Sequence, residues 1–181
     1  MTQPLRDITP PTNPPPRISS RVFPPYRHVP GLHPHPVANP AGHSYNPTGE
    51  HPVAEPLLTP AEWAASDDYR FGVDLYNYGY WWEAHEAWEG LWQQTDKSGV
   101  QGRFLQGLIQ VSAAHLKRHV DQPEGVDRLL ERAFSHLDCV LHTLKPGEHY
   151  MGLDLHRWVA EVKQCFSTNP TQFPFIVLST K

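Results

Sequence analysis

From Thr59 onward, apolar residues recur at helical spacing and nowhere settle into the strict alternation of a half-buried strand. Thr59-Pro60-Ala61-Glu62 reads as a capping box with proline in the first helical position. It opens a short helix ending near Ser66, which caps a second helix over 67–77 with Phe71, Leu75 and Tyr78 on its apolar side. Gly79 is the stop. A third helical stretch runs over 80–94, and 95–98 form a loop. The next, over 99–119, buries Phe104, Leu105, Leu108, Ile109, Val111, Ser112 and Leu116. After a turn at 121–124 comes the cleanest stripe in the chain: Val126, Leu129, Leu130, Ala133, Phe134, Leu137, Val140, Leu141 and Leu144, stopped by Lys145-Pro146-Gly147. Asp154 caps a last helix carrying Leu155, Trp158, Val159, Val162 and Phe166, and Phe173 to Leu178 reads as an extended tail across the bundle. The expected class is all-α, a small helical bundle of about five helices.

One helix of this set has an unusual wheel. The run Tyr80–Trp92 holds Trp81, Trp82, Trp88 and Trp92 together with Glu83, Glu86, Glu89 and His85. At about 100° per residue with Trp81 at zero, Trp92 falls near 20°, Trp88 near −20°, His85 near 40° and Glu89 near 80°. His85 thus lies in the apolar arc and Glu89 on its edge, while Glu83 points away from the core. A buried neutral imidazole has one donor and one acceptor to satisfy. Leaving one unpaired costs roughly 1–3 kcal/mol, so Glu89, one turn on, is the expected partner. On the next helix His115 also falls amid apolar residues, with His119 one turn later. Its other side carries Arg103, Gln106, Gln110 and Lys117 among the small Gly107, Ala113 and Ala114. That side suits another helix, a second subunit, a ligand or solvent.

Composition divides the chain. Fifteen of its 20 prolines precede residue 57, giving an N-terminal arm over 1–58 and a helical domain over 59–181. Residues 1–20 read as a solvated, disordered tail. The stretch from Phe23 to Tyr45 is richer, and Tyr26, Val29, Leu32 and Tyr45 are expected to dock on the helices. His33, His35 and His43 match no standard zinc spacing and read as turn and surface histidines. A net charge of −4 without a basic stripe argues against nucleic acid. The N-terminus has no apolar leader core and no run approaches the length of a membrane span, so the expectation is a cytoplasmic protein without membrane contact. Cys139 and Cys165 are expected to be reduced.

The succession Leu75-Tyr-Asn77-Tyr-Gly79-Tyr-Trp-Trp-Glu-Ala-His85-Glu86-Ala-Trp-Glu89-Gly-Leu-Trp92, followed by Phe104-Leu-Gln106-Gly107-Leu108-Ile109-Gln110, resembles the bacterial and archaeal family catalogued as domain of unknown function 309. The likeness covers roughly 67–145. The arm, with Pro34-His35-Pro36 and Gly42-His43-Ser44-Tyr45, resembles an extension on some bacterial members. The resemblance implies a small helical bundle and no established activity; some members bear the label of metal-dependent hydrolase. Motif positions carried over are Asn77, Gly79, His85, Glu86, Glu89, Trp92, Gln106, Gly107 and Gln110. Trp88 departs from the pattern, which more usually has an aliphatic residue there.

Two functional readings stand open. In the first, His85, Glu89 and His115 ligate one divalent ion, Glu86 is the general base of a hydrolysis, and Asn77, Trp92, Gln106 and Gln110 line a small-molecule site. Against it, Glu89 stands where HExxH has its second histidine. In the second, the His/Glu/Gln cluster is a core hydrogen-bond network in a non-catalytic binding or structural protein, with self-association as one outcome. The absence of a glycine-rich phosphate loop disfavours a nucleotide role.

Overall fold

The computed structural model describes residues 4–49, 55–168 and 172–179; the rest of the arm, 1–3 and 50–54, lies outside the described residues. A short 3-10 helix, Pro60–Ala65, leads into five α-helices: α1 Asp67–Asn77, α2 Trp81–Trp92, α3 Val100–His119, α4 Pro123–Leu141 and α5 Leu155–Thr168. Among the described residues there is no strand, only isolated bridges from Leu153 to Tyr150 and to Leu178. No helix of the described residues is long and apolar enough to cross a membrane.

The start and stop chemistry of the sequence is realised. Glu62 accepts from the Thr59 amide at 3.1 Å and from its hydroxyl at 2.7 Å. Ser66 Oγ accepts from the Tyr69 amide, capping α1. At the other end Gly79, at φ +79°, lets the Tyr80 amide close onto the Leu75 carbonyl at 2.8 Å. Asp154 caps α5 through the Arg157 amide at 3.1 Å.

α1, α2, α3 and α4 pack in succession, each against the next. The contacts are close where glycine permits. A Cβ on Gly72 of α1 would overlap the Trp88 indole of α2, and one on Gly107 of α3 would overlap Leu137 of α4. The small side of α3 therefore faces another helix of the same chain at Gly107. Trp88, Trp158, Tyr69, Tyr76 and Phe104 are fully buried at the centre. The tail crosses the bundle as expected: Ile176 is buried, and its amide and carbonyl are both taken by the Asn77 side chain, at 2.7 and 2.8 Å.

The arm departs from its composition. Residues 4–20 are mostly exposed but touch the helices at points, with Ile8 and Ser19 buried. The buried Asp74 of α1 accepts from the Ile18 amide at 3.0 Å and the Ser19 amide at 2.8 Å. Val29 is fully buried, but Leu32 and Tyr45 remain exposed at 42% and 38%, against expectation. Tyr26 is half-buried; its hydroxyl bonds the Pro34 carbonyl and accepts from the His43 amide, so it ties the arm to itself. Both cysteines are free, Cys139 exposed and Cys165 buried.

Candidate functional site

α2 places its tryptophans as the wheel requires: Trp88 is fully enclosed, Trp81 nearly so, and Trp92 is at the margin. His85 lies further round and keeps 29% of its side chain exposed, so it is a rim residue rather than a core one. Its two ring nitrogens face two carboxylates. Nδ1 lies 3.2 Å from Glu86 Oε1 and Nε2 lies 3.9 Å from Glu89 Oε2. One ligand atom from each of His85, Glu86 and Glu89 lies within 4.8 Å of the others, and no other His/Cys/Asp/Glu trio does so among the described residues. Burial pulls the His85 pKa down, but contact with Glu86 and the charges of Glu86 and Glu89 outweigh it, and the net shift is upward.

The remaining sequence-nominated residues lie elsewhere or serve the fold. His115 is not part of the trio. It is enclosed, stacked on Trp81 at 5.2 Å, with Nε2 3.1 Å from the Tyr76 hydroxyl and Nδ1 3.4 Å from Arg118 Nη2. Arg118 can only donate, so Nδ1 accepts and the proton sits on Nε2. Burial and the Arg118 charge hold this ring neutral, its pKa well below the ordinary value. A ring with both nitrogens engaged has no lone pair for an ion. Asn77 spends both polar atoms on the tail. His119 gives Nε2 to the Arg6 carbonyl at 2.7 Å and packs edge-on to Trp81. Gln106 is half-buried on α3. Two nominated residues do retain unused polar atoms: Trp92 Nε1 on α2 and Gln110 Oε1 on α3 are buried without a partner, on two helices that pack together.

Sequence reasoning missed Glu83. The wheel points it away from the bundle, and it does point away; the arm then covers it, leaving it 5% exposed. Glu83 Oε1 accepts from the His28 amide and the His43 ring Nε2, both at 3.0 Å. The available signal was three glutamates on one helix below an arm that carries four histidines from His28 to His43.

Residues 69–129 match the family model described as "Domain of unknown function (DUF309)". No curated protein matches the chain. The matched span holds most of α1, all of α2 and α3 and the start of α4, and therefore the whole trio.

Proposed function

Taking as premise that this chain carries the domain of unknown function 309, we propose that its α2 trio binds a divalent cation and serves a metal-dependent hydrolysis. The observation that carries the reading is the convergence of His85, Glu86 and Glu89 within 4.8 Å. Their chemistry fits an ion of the zinc type, which takes imidazole nitrogen and carboxylate oxygen. Glu86 beside Nδ1 favours the proton on that nitrogen and leaves the Nε2 lone pair toward Glu89. His85 Nε2 and Glu89 would hold the ion, and Glu86 would orient the imidazole. An ion there would supply a water whose pKa is lowered toward neutrality. The second Glu86 oxygen would then serve as the general base. Side-chain exposures of 29%, 39% and 35% for the three leave room for substrate from solvent.

The test is elemental analysis of the untagged protein, followed by zinc titration of Glu89→Gln. A zinc equivalent that wild type binds and the variant loses is the expected result. Metal-free protein that takes up no zinc overturns the reading.

A specific observation favours the non-catalytic alternative for part of the nominated set: His115 and Asn77 are spent on core hydrogen bonds. In that reading His85→Ala changes the melting temperature equally with and without added zinc; in the first, wild type gains more stability from zinc than His85→Ala does.

A further inference from the structure

We infer that Glu83 and His28 form a second divalent-cation site, between the arm and the outer side of α2. It does not rest on the trio: Glu83 lies about 160° round the helix from His85.

Glu83 Oε2 is buried and has no hydrogen-bond partner, and neither has His28 Nδ1. The residues are 5% and 3% exposed, and the His28 amide already bonds the other oxygen of the same carboxylate at 3.0 Å. The two unpartnered atoms therefore belong to residues already joined by a hydrogen bond. A carboxylate oxygen only accepts, and burial favours a neutral His28, which keeps one nitrogen lone pair. Leaving either atom unpaired in a buried interface is costly, and one cation with affinity for both oxygen and imidazole nitrogen would satisfy the two together.

The other histidines define which rings take part. His33 Nδ1 accepts from the Val29 amide, and its Nε2 faces Asp7 at 2.8 Å. His35 Nδ1 accepts from the Val37 and Ala38 amides. Both are thereby fixed with the proton on Nε2 and have no lone pair to offer. His43 donates Nε2–H to Glu83 Oε1, neutralising that oxygen's demand and leaving Oε2 for the ion. The Trp82 ring stands edge-on to His28 and His35, each 5.4 Å away, and walls the site. His28 and Glu83 are thus the protein ligands, with water completing the shell. An ion here would staple the arm to α2.

The test uses the untagged full chain and zinc alone. His85→Ala, which removes the α2 trio's site, is expected to keep one zinc equivalent by titration calorimetry. Adding Glu83→Gln is expected to abolish it, because the amide keeps an acceptor for the His28 amide but loses the charge. In the His85→Ala background zinc should also slow tryptic cleavage at Arg21 and Arg27; with Glu83→Gln added it should not. His28→Ala should behave like Glu83→Gln; if it loses its helical circular dichroism, Glu83→Gln alone carries the decision. A His85→Ala protein that binds no zinc, or binds it regardless of Glu83, overturns the proposal and leaves water as the partner of both atoms. Either result is separable from the fate of the trio, which is read in Glu89→Gln.

Discussion

His85 and His115 show how one residue type takes two fates under the same helical pattern. Each falls in the apolar arc of its helix on the wheel. His85 ends at the rim, 29% exposed and flanked by two carboxylates, whereas His115 is enclosed between Trp81, Phe166 and Phe173 with both nitrogens engaged. Truncation should separate them. His115→Ala removes a packed ring and leaves the Tyr76 hydroxyl without its imidazole partner, a loss of roughly 2–4 kcal/mol. His85→Ala without metal should cost under ~1 kcal/mol, since a half-exposed ion pair contributes little. Urea denaturation of the two variants measures the difference, and equal losses would contradict the assigned environments. Gly72 offers a sharper case at the same scale. A methyl there meets the Trp88 indole, so Gly72→Ala should destabilise by about 1–3 kcal/mol through overpacking, despite alanine's better helix propensity. A stabilised variant in a thermal melt would show that α1 and α2 can separate freely.

At the scale of elements, Asn77 links three parts of the fold: the end of α1, the turn into α2 and the tail. Its side chain pairs with the Ile176 amide and carbonyl as a neighbouring strand would, so the extended tail has a backbone-like partner inside an all-α protein. Asn77→Ala would leave both groups unpaired in a buried site, at about 1–3 kcal/mol each. Hydrogen exchange at the Ile176 amide should accelerate well before the α3 amides do, and protection unchanged there would remove the clamp from the account. The helices were legible because each carries its own periodicity and punctuation. The pattern places the third long helix at 99–119, and α3 is Val100–His119; Gly79 and Asp154 stop and start where turn chemistry demands. What a single helix wheel lacks is any account of what lies over its far side. The wheel sets the direction of Glu83 but not what covers it, because the proline-rich arm residues that do so have little periodicity of their own. The trio was legible in part: His85, Glu86 and Glu89 share one helix, so spacing alone brings them together. Joining His115 to them required inter-helix geometry that spacing does not carry.

For the whole molecule, the arm and the bundle carry buried and half-buried titratable groups whose protonation differs between folded and unfolded chains, and these are expected to set the acid limit of the fold. His115, His28 and His136 all have pKa values held below the ordinary histidine value of 6.5, each chiefly by burial. The unfolded chain therefore binds more protons as pH falls below about 6.5, and stability from these groups, fully present above that value, is lost toward their folded values. His85 and Asp74 act with the opposite sign. His85 is raised, so its contribution is present below 6.5 and disappears as pH rises through its folded value. Asp74 is raised above 3.8 by burial, against the Ile18 and Ser19 amides and the nearby Arg17 and Arg70 charges, so its preference for the proton helps only at acid pH and is lost as pH rises through its folded value. His115 is the most enclosed of the lowered histidines and sits where α3, α1 and the segments carrying Phe166 and Phe173 meet. Its titration should dominate the limb. Metal-free wild type should lose melting temperature steadily from pH 7 to pH 5. His115→Gln retains a donor and an acceptor but takes up no proton, so it should start lower at pH 7 and fall less steeply. Parallel curves for the two proteins would place the proton uptake elsewhere, in the arm at His28. The double variant His115→Gln/His28→Gln then decides whether the arm or the bundle gives way first in acid.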